Sequence, residues 1–274
     1  ALIGMAFGIG FTFGPLIGAA FVSADPDGAP SEAVGYVAGG LSAAAFVLAL
    51  LKLPETRKPG EVVESAGHSH LGRISAAMSI QGVGAILITM FITTVAFAQF
   101  ESTLALLTKD MAIADRGNFF VFAYVGFVLA MSQGMIVRRL ATKVSPKSLA
   151  AGGTLLMAAG LGLVGLAGRN ASEGMLYGVL PIAVVGFSCV TPAMQALLSL
   201  KASTEKQGEV LGVGQSMSAL ARIVGPAIAI PLHHRAVELP HWTGAAVMAI
   251  GLALVLSLTA PETKATSGPE ASAE

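Results

Sequence analysis

The sequence predicts an all-α fold: a polytopic membrane bundle of about eight transmembrane helices. Hydrophobic residues make up 54% of the chain and charged residues only 12%, whereas an ordinary soluble domain carries about 25% charged residues. Because this number of charges is too small to cover the surface of a globule of this size, lipid must replace water over much of the exterior. The apolar residues also fall into eight long runs, and the loop cations lie mainly on one side of them.

Each run is long enough for a membrane-spanning helix, which needs about 20 mostly apolar residues. The runs cover residues 1–22, 34–53, 83–107, 118–137, 148–167, 174–200, 208–232 and 243–260. Charged or turn-forming stretches separate them, such as SADPDGAPSE after the first run and PETRKPG after the second. The tail 261–274 is small and polar, which is typical of disorder. The chain opens inside an apolar run without a charged leader, so we expect it to begin within a helix rather than with a signal peptide.

Loop cations predict the orientation of the helices. If loops alternate sides, one side holds eleven cations: Lys52, Arg57, Lys58, Arg73, Arg138, Arg139, Lys143, Lys147, Lys201, Lys206 and Lys264. The other side holds four: Lys109, Arg116, Arg169 and Arg235. Cytoplasmic loops carry the excess of Lys and Arg. We therefore expect a multi-pass protein of the inner (cell) membrane with a cytoplasmic C-terminus.

A pattern near the start of the chain recurs near its end. FTFGPLIGAAF is followed by LPETR, and RIVGPAIAIPL is followed at a similar distance by APETK, so that Gly14-Pro15 matches Gly225-Pro226. Repeated halves are typical of transporters, in which one half rocks against the other. The repeat predicts that residues 1–53 are the last two helices of an N-terminal half and 54–79 a cytoplasmic linker. Residues 80–260 would form a six-helix C-terminal half, followed by a disordered cytoplasmic tail, and four earlier helices would be missing.

Three stretches resemble a known family. GFTFGPLIGA is similar to the antiporter motif Gly-x3-Gly-Pro-x2-Gly-Gly through Gly10, Gly14, Pro15 and Gly18, while Ala19 departs from it. FAQFESTLALLTKD with FAYVGFVLAMSQGMIVRRL, and the ending LPETR, complete the resemblance to the major facilitator superfamily, specifically its drug:proton antiporter branch of tetracycline and multidrug efflux proteins. The resemblance implies a 12-helix fold, of which this chain holds about eight helices. It also implies export of a small amphipathic compound in exchange for protons, and we expect the chain alone not to transport.

Two charged residues lie inside predicted spans. Arg222 falls near the middle of the seventh run, where an arginine costs about 2.5 kcal/mol or more unless it meets a partner or a polar cavity. Glu101 lies about 9 Å inside the outer end of the third run, from about 1.5 Å of rise per residue. Glu101 could take up a proton or pair with Arg222. Four uncharged polar side chains should also face the interior, as path-lining groups or as interhelical hydrogen-bond partners: Gln99, Gln133, Gln195 and Gln215.

Small residues and prolines predict where helices pack closely. Gly10, Gly14 and Gly18 form a stripe against which another helix can lie, and Pro15 removes a backbone hydrogen bond. The resemblance implies that the two halves meet here. The seventh run keeps Gly225 and Pro226 without the stripe. Arg138 and Arg139 resemble a degraded copy of the family loop Gly-x-x-x-Asp-Arg-x-Gly-Arg-Arg, whose Asp is absent, so we expect them to set topology.

Other functional classes find little support in the sequence. The formal net charge of zero argues against a nucleic-acid partner, and we find no Walker loop, nucleophile elbow or zinc signature. His68 and His70 alone are too few ligands for a metal site. We therefore expect no cofactor and no enzyme activity, but a monomer that contacts lipid, protons and a small-molecule substrate. Uptake or uniport of a small metabolite, and a non-transporting membrane fragment or scaffold, remain open.

Overall fold

The computed structural model describes residues 2–21, 32–54, 70–203 and 206–258. Ten α-helices follow one another in these ranges: α1 Leu2–Phe21, α2 Ala33–Lys52, α3 His70–Ser79, α4 Val83–Asp110, α5 Asp115–Met131, α6 Arg138–Leu140, α7 Pro146–Arg169, α8 Glu173–Lys201, α9 Gln207–His233 and α10 Leu239–Ser257. A π-helical segment, Ser132–Val137, joins α5 to α6 without a break. These ranges contain no β-strand.

The all-α membrane bundle predicted from the sequence is confirmed. Among the described residues, seven helices are long and apolar enough to cross a membrane, and α1 adds the shorter apolar stretch Gly8–Phe21. Each of the eight predicted runs coincides with a helix, and the ends differ by a few residues. For example, the third run was placed at 83–107, but α4 extends to Asp110.

The predicted linker 54–79 is partly helical. Its last ten residues form α3, which packs on the start of α4 through the 2% exposed Ala77. At Gly84 of α4, a Cβ would lie 2.6 Å from the carbonyl oxygen of Met78, so the contact is close enough to need glycine. Most of the linker, both Pro-Glu-Thr corners apart from Pro54, and the tail from residue 259 lie outside the described residues.

The core is organised around α4, which packs along α9 and α10. Helix α10 also packs on α7, which forms a close antiparallel pair with α8. Helix α1 lies against α5, whereas α2 contacts mainly α1 and buries none of its residues. The described chain is thus a bundle centred on α4, with α1 attached at α5 and α2 at its margin.

Contacts between helix ends fix which termini share a side of the bundle. Lys147 at the start of α7 donates to the carbonyl oxygens of Leu256 and Leu258 at the end of α10, at 2.7 and 2.5 Å. We call this side the cation-rich end, because it carries Arg138, Arg139, Lys143, Lys147, Lys201 and Lys206. On the opposite side, the cation-poor end, Asp110 of α4 meets His233 of α9.

Glycine permits the closest helix contacts. A Cβ on Gly160 of α7 would lie 2.3 Å from the backbone nitrogen of Ala183, and one on Gly186 of α8 would lie 2.4 Å from that of Met157. Real Cβ atoms do not approach backbone so closely. The tight α7–α8 pairing therefore requires glycine, as expected for helices that associate through packing rather than through the hydrophobic effect.

Candidate functional site

A concave pocket opens between α4, α8 and α9. Its cavity volume is about 110 Å³. Its walls combine apolar side chains, hydroxyl and amide groups, and one cation; the lining residues are Met90, Thr93, Thr94, Phe187, Val190, Thr191, Met194, Gln195, Gln215, Ser218 and Arg222. We call it the α4–α8–α9 pocket. A mixed lining of this kind suits a small molecule with both apolar and polar parts.

Arg222 and Glu101 form an ion pair beside this pocket. Nη1 of Arg222 donates to Oε2 of Glu101 at 2.6 Å, joining α9 to α4 across 121 residues of sequence. The arginine side chain is 42% exposed and that of the glutamate 27% exposed. Of the two roles that the sequence left open for Glu101, proton uptake or pairing with Arg222, the structure contains the pairing.

Both members of the ion pair lie several turns before the ends of their helices. Glu101 precedes the end of α4 at Asp110 by nine residues, and Arg222 precedes the end of α9 at His233 by eleven. With a rise of about 1.5 Å per residue, these separations are about 14 and 16 Å. Glu101 was expected about 9 Å from the outer end of its run, and its distance to the helix end is larger because α4 continues past the predicted boundary.

Two aromatic rings support the arginine. The Cζ atom of Arg222 lies 5.9 Å from the ring centroid of Phe97, a distance at which a cation is attracted to the ring face. Phe97 in turn stacks on Phe187, with centroids 3.4 Å apart and planes within 6° of each other. Because Phe187 also lines the α4–α8–α9 pocket, a molecule in the pocket would touch the same stack that holds the guanidinium.

The four predicted glutamines separate into two groups. Gln195 and Gln215 line the α4–α8–α9 pocket. Gln99 is 1% exposed and accepts a hydrogen bond from Thr243 of α10 at 3.1 Å. Gln133, in the π-helical segment, donates to the carbonyl oxygen of Ser188 at 3.1 Å. The last two therefore hold helices together, since lipid offers their polar atoms no other partner.

The glycine stripe of α1 does not act as one packing surface. A Cβ on Gly18 would lie 2.6 Å from the ring of Phe119 on α5, but Gly10 and Gly14 have no heavy atom of the described residues within 4 Å of that position. Helices α1 and α5 approach closely at Gly8, where a Cβ would lie 2.7 Å from the backbone of Ala130, and at Gly126, where one would lie 2.5 Å from the backbone of Phe11 and Thr12. At about 100° per residue, Gly10 and Gly14 point about 160° and about 120° away from Gly8, whereas Gly18 lies about 80° from it, at the edge of the same contact.

The remaining predicted positions lie at helix contacts or at the surface. A Cβ on Gly225 of α9 would lie 2.6 Å from that of Ala98, so this glycine brings α9 onto α4 just beyond the ion pair, and Pro226 follows it within the helix. Pro15 lies inside α1. Arg138 and Arg139 are exposed at the cation-rich end.

The structure contains a second cluster of ionisable residues, which was not predicted from the sequence. Nε2 of His233 lies 2.7 Å from Oδ2 of Asp110, and His241 of α10 is fully buried near them. These residues fell just outside the predicted runs and were counted as loop. The sequence does contain two stretches with ionisable residues, TKD and LHHR, at helix ends on the same side. These stretches alone do not show that Asp110 and His233 are in contact.

Comparison with known proteins agrees with this architecture. The sequence profile described as Major Facilitator Superfamily matches residues 1–226, more than half of the chain. The bovine (Bos taurus) major facilitator superfamily domain-containing protein 10 is 28% identical over 268 residues, covering 84% of this chain and 52% of the relative.

Two bacterial relatives carry names that refer to drug resistance. The class B tetracycline resistance protein of Escherichia coli is 22% identical over 264 residues, covering 94% of this chain and 63% of the relative. The class D protein of Salmonella ordonez is 27% identical over 231 residues, covering 82% and 55%. The chain thus spans between about half and two thirds of the length of these relatives. With a matching profile over residues 1–226 and a bundle of apolar helices, the chain belongs to the major facilitator superfamily.

Proposed function

We propose that this chain forms part of a secondary active transporter that exports a small amphipathic compound in exchange for protons. The observation that carries the proposal is the Glu101–Arg222 pair, 2.6 Å long, which joins two membrane helices beside the α4–α8–α9 pocket. Ionisable residues inside membrane spans are costly and are found mainly on substrate, ion or proton pathways. The pair therefore marks the path in the described bundle.

Glu101 is the group that exchanges the proton in this proposal. While it is ionised, it holds the guanidinium of Arg222 through a charge-assisted hydrogen bond. A proton on the carboxylate removes the negative charge and releases Arg222, which is then held by Phe97 alone among the contacts described above. Protonation would thus change how α9 is tied to α4. Exchange requires that substrate and proton favour opposite states of this pair, so that each drives the release of the other.

The pocket lining indicates the kind of substrate. Met90, Phe187 and Val190 offer apolar surface, while Thr191 and Gln195 offer hydrogen-bonding groups. A compound with a flat apolar body and a few polar groups matches this division. Two relatives are named tetracycline resistance proteins, so tetracycline is a reasonable first probe of the pocket.

The arrangement in the membrane is part of the proposal. With more cations at the cation-rich end, that end faces the cytoplasm of the cell membrane. Residues 1–53 belong to one half of the transporter and 80–260 to the other, with further helices completing the first half. The transporter acts as a monomer. Glu101, Arg222, Gln195 and Gln215 face the path, and the α1–α5 contact lies between the two halves.

Proton release on substrate binding tests the exchange step. The purified chain, in weakly buffered detergent with a pH indicator, receives tetracycline at several starting pH values. We expect release of up to about one proton per chain, because one carboxylate changes its protonation state. Glu101→Gln should abolish the release, whereas Glu173→Gln, which removes an exposed carboxylate at the start of α8, should leave it unchanged.

Two results would contradict this proposal. The first is a wild-type chain that binds tetracycline without releasing protons, which would favour uptake or uniport instead. The second is a Glu101→Gln chain that releases as many protons as the wild type, because the exchanging group would then lie elsewhere.

A further inference from the structure

We propose that Asp110, His233 and His241 form a second proton-binding site, at the cation-poor end, whose protonation fastens the α9–α10 corner to α4. The inference extends the proposed proton-coupled function, but the site is distinct from the Glu101–Arg222 pair and its protonation can be measured without any substrate. It is carried by a contact between two helix ends and by buried imidazole nitrogens that lack hydrogen-bond partners.

The His233–Asp110 pair joins a buried group to an exposed one. His233 is the last residue of α9 and its side chain is 6% exposed, whereas Asp110 is the last residue of α4 and its side chain is 47% exposed. The Nε2 and Oδ2 atoms are 2.7 Å apart. The carboxylate is thus accessible to protons from outside the bundle, while the imidazole that it contacts is shielded.

The buried histidines have unused hydrogen-bonding capacity. Nδ1 of His233 and both ring nitrogens of His241 are buried without a hydrogen-bond partner among the described residues. The backbone of Val237 approaches the ring of His241 without completing hydrogen-bond geometry. Buried polar atoms are nearly always paired, so three unpaired ones in one cluster require an explanation. The unpaired Nδ1 of His233 is suited to accept a proton, because the carboxylate on the other ring nitrogen stabilises the imidazolium that results.

The surrounding charges allow one proton at a time. The ionisable groups carried at this end by the helices packed around the site and by their adjoining turns are Lys109, Asp110, Asp115, Arg116, Arg169, Glu173, His234, Arg235, Glu238 and His241. Asp110 contacts His233 directly, and a charge on His233 repels one on His241. The carboxylate therefore stabilises one imidazolium, while the second histidine is hindered from charging.

The protonation step itself is simple. With the Nε2–H of His233 donating to Asp110, the Nδ1 lone pair takes up a proton from solvent and the ring becomes an imidazolium. The hydrogen bond to the carboxylate then joins two opposite charges, so Coulomb attraction between imidazolium and carboxylate is added to it. Loss of that proton at higher pH weakens the link between the ends of α4 and α9.

This link bears on the proposed transport path because the same two helices carry Glu101 and Arg222. Gly225, which lies between Arg222 and His233 on α9, packs that helix closely onto Ala98, one turn before Glu101 on α4. A change at the ends of α4 and α9 therefore acts on a closely packed pair of helices. His241 adds a contact with α4, since its ring meets that of Phe100 edge-on at 6.4 Å between centroids.

Thermal unfolding at two pH values tests the inference. In the chain reconstituted in lipid nanodiscs, the His233–Asp110 pair should raise the melting temperature more at about pH 5.5 than at about pH 8, because His233 changes charge between them. Buried His241, which resists charging, acts in the opposite direction, but it does so equally in all variants compared. A difference of about 2–4 °C is the scale expected for one such interaction. His233→Gln and Asp110→Asn should each abolish the part of this difference that the pair contributes. His234→Gln removes an exposed histidine at the next position and should retain it.

Nitrogen-15 spectra of the five ring-labelled histidines provide a second, direct measurement. The signal of His233 is the one that is missing from the spectrum of His233→Gln. We expect this ring to change from neutral to protonated within this pH range. Asp110→Asn should alter that change. If His233→Gln does not fold, the His233 ring is identified instead as the one whose titration changes in Asp110→Asn, a substitution of a half-exposed residue. The inference is overturned if His233 keeps one protonation state throughout, or if His233→Gln and His234→Gln have the same pH profile. Glu101→Gln should leave the His233 titration in place, which separates a failure of this site from a failure of the proposed exchange.

Discussion

Replacing Gly160 with alanine should force α7 and α8 apart. The added Cβ would lie 2.3 Å from the nitrogen and 2.5 Å from the Cα of Ala183. Ordinary contacts begin at 3.4 Å, so the helices would have to separate locally by about 1 Å. Gly162, on the same helix, has no heavy atom of the described residues within 4 Å of its Cβ position. Gly162→Ala is therefore a matched control.

The magnitude follows from two opposing effects. Alanine stabilises a helix by about 1 kcal/mol relative to glycine, whereas overpacking a close contact costs about 1–3 kcal/mol. Here the clash is with backbone, which cannot rotate away, so we expect the cost to lie near the upper value. Gly160→Ala should thus lower the free energy of unfolding by about 2 kcal/mol, while Gly162→Ala should leave it unchanged or raise it by up to about 1 kcal/mol.

Unfolding in mixed micelles with increasing dodecyl sulfate measures both variants on the same scale. The comparison removes the helix-propensity term, because both substitutions change glycine to alanine within α7. If the two variants were equally stable, or if Gly160→Ala were the more stable, the close backbone contact between α7 and α8 would be refuted.

Two further predictions concern other helix contacts. Lys147→Met should lower the free energy of unfolding by about 1 kcal/mol, because it removes a charged donor from two carbonyls at the end of α10. Lys143→Met, which replaces an exposed lysine shortly before it, should have little effect in the same micelle titration. Equal losses of stability in the two variants would contradict a stabilising role of the Lys147 hydrogen bonds. Gly8→Leu should separate α1 from α5, because its side chain would overlap the backbone of Ala130, whereas Gly10→Leu should not. Spin-label distances between the two helices measure this, and a larger displacement by Gly10→Leu would show that the motif stripe is the true contact.

The sequence by itself determined the class of fold and the number of long helices. Runs of about 20 apolar residues leave lipid as the only environment in which they are stable, and the backbone must then form helices. It also identified Arg222 and Glu101, because a charge inside such a run is costly wherever the neighbouring helices lie. The Gly-Pro pattern that occurs near both ends of the chain likewise indicated a two-half architecture, without any knowledge of helix contacts.

Only the tertiary structure decided which faces of those helices meet. In a soluble helix the apolar face points inward, but in a membrane helix the lipid-facing side is as apolar as the core, so periodicity does not identify the contact face. For this reason Gly8 rather than Gly10 or Gly14 lies at the α1–α5 contact. Gln99 and Gln133 hold helices together while Gln195 and Gln215 line the pocket. Likewise, Asp110 and His233 are 123 positions apart in the chain, and only the parallel packing of α4 and α9 brings their ends within 2.7 Å.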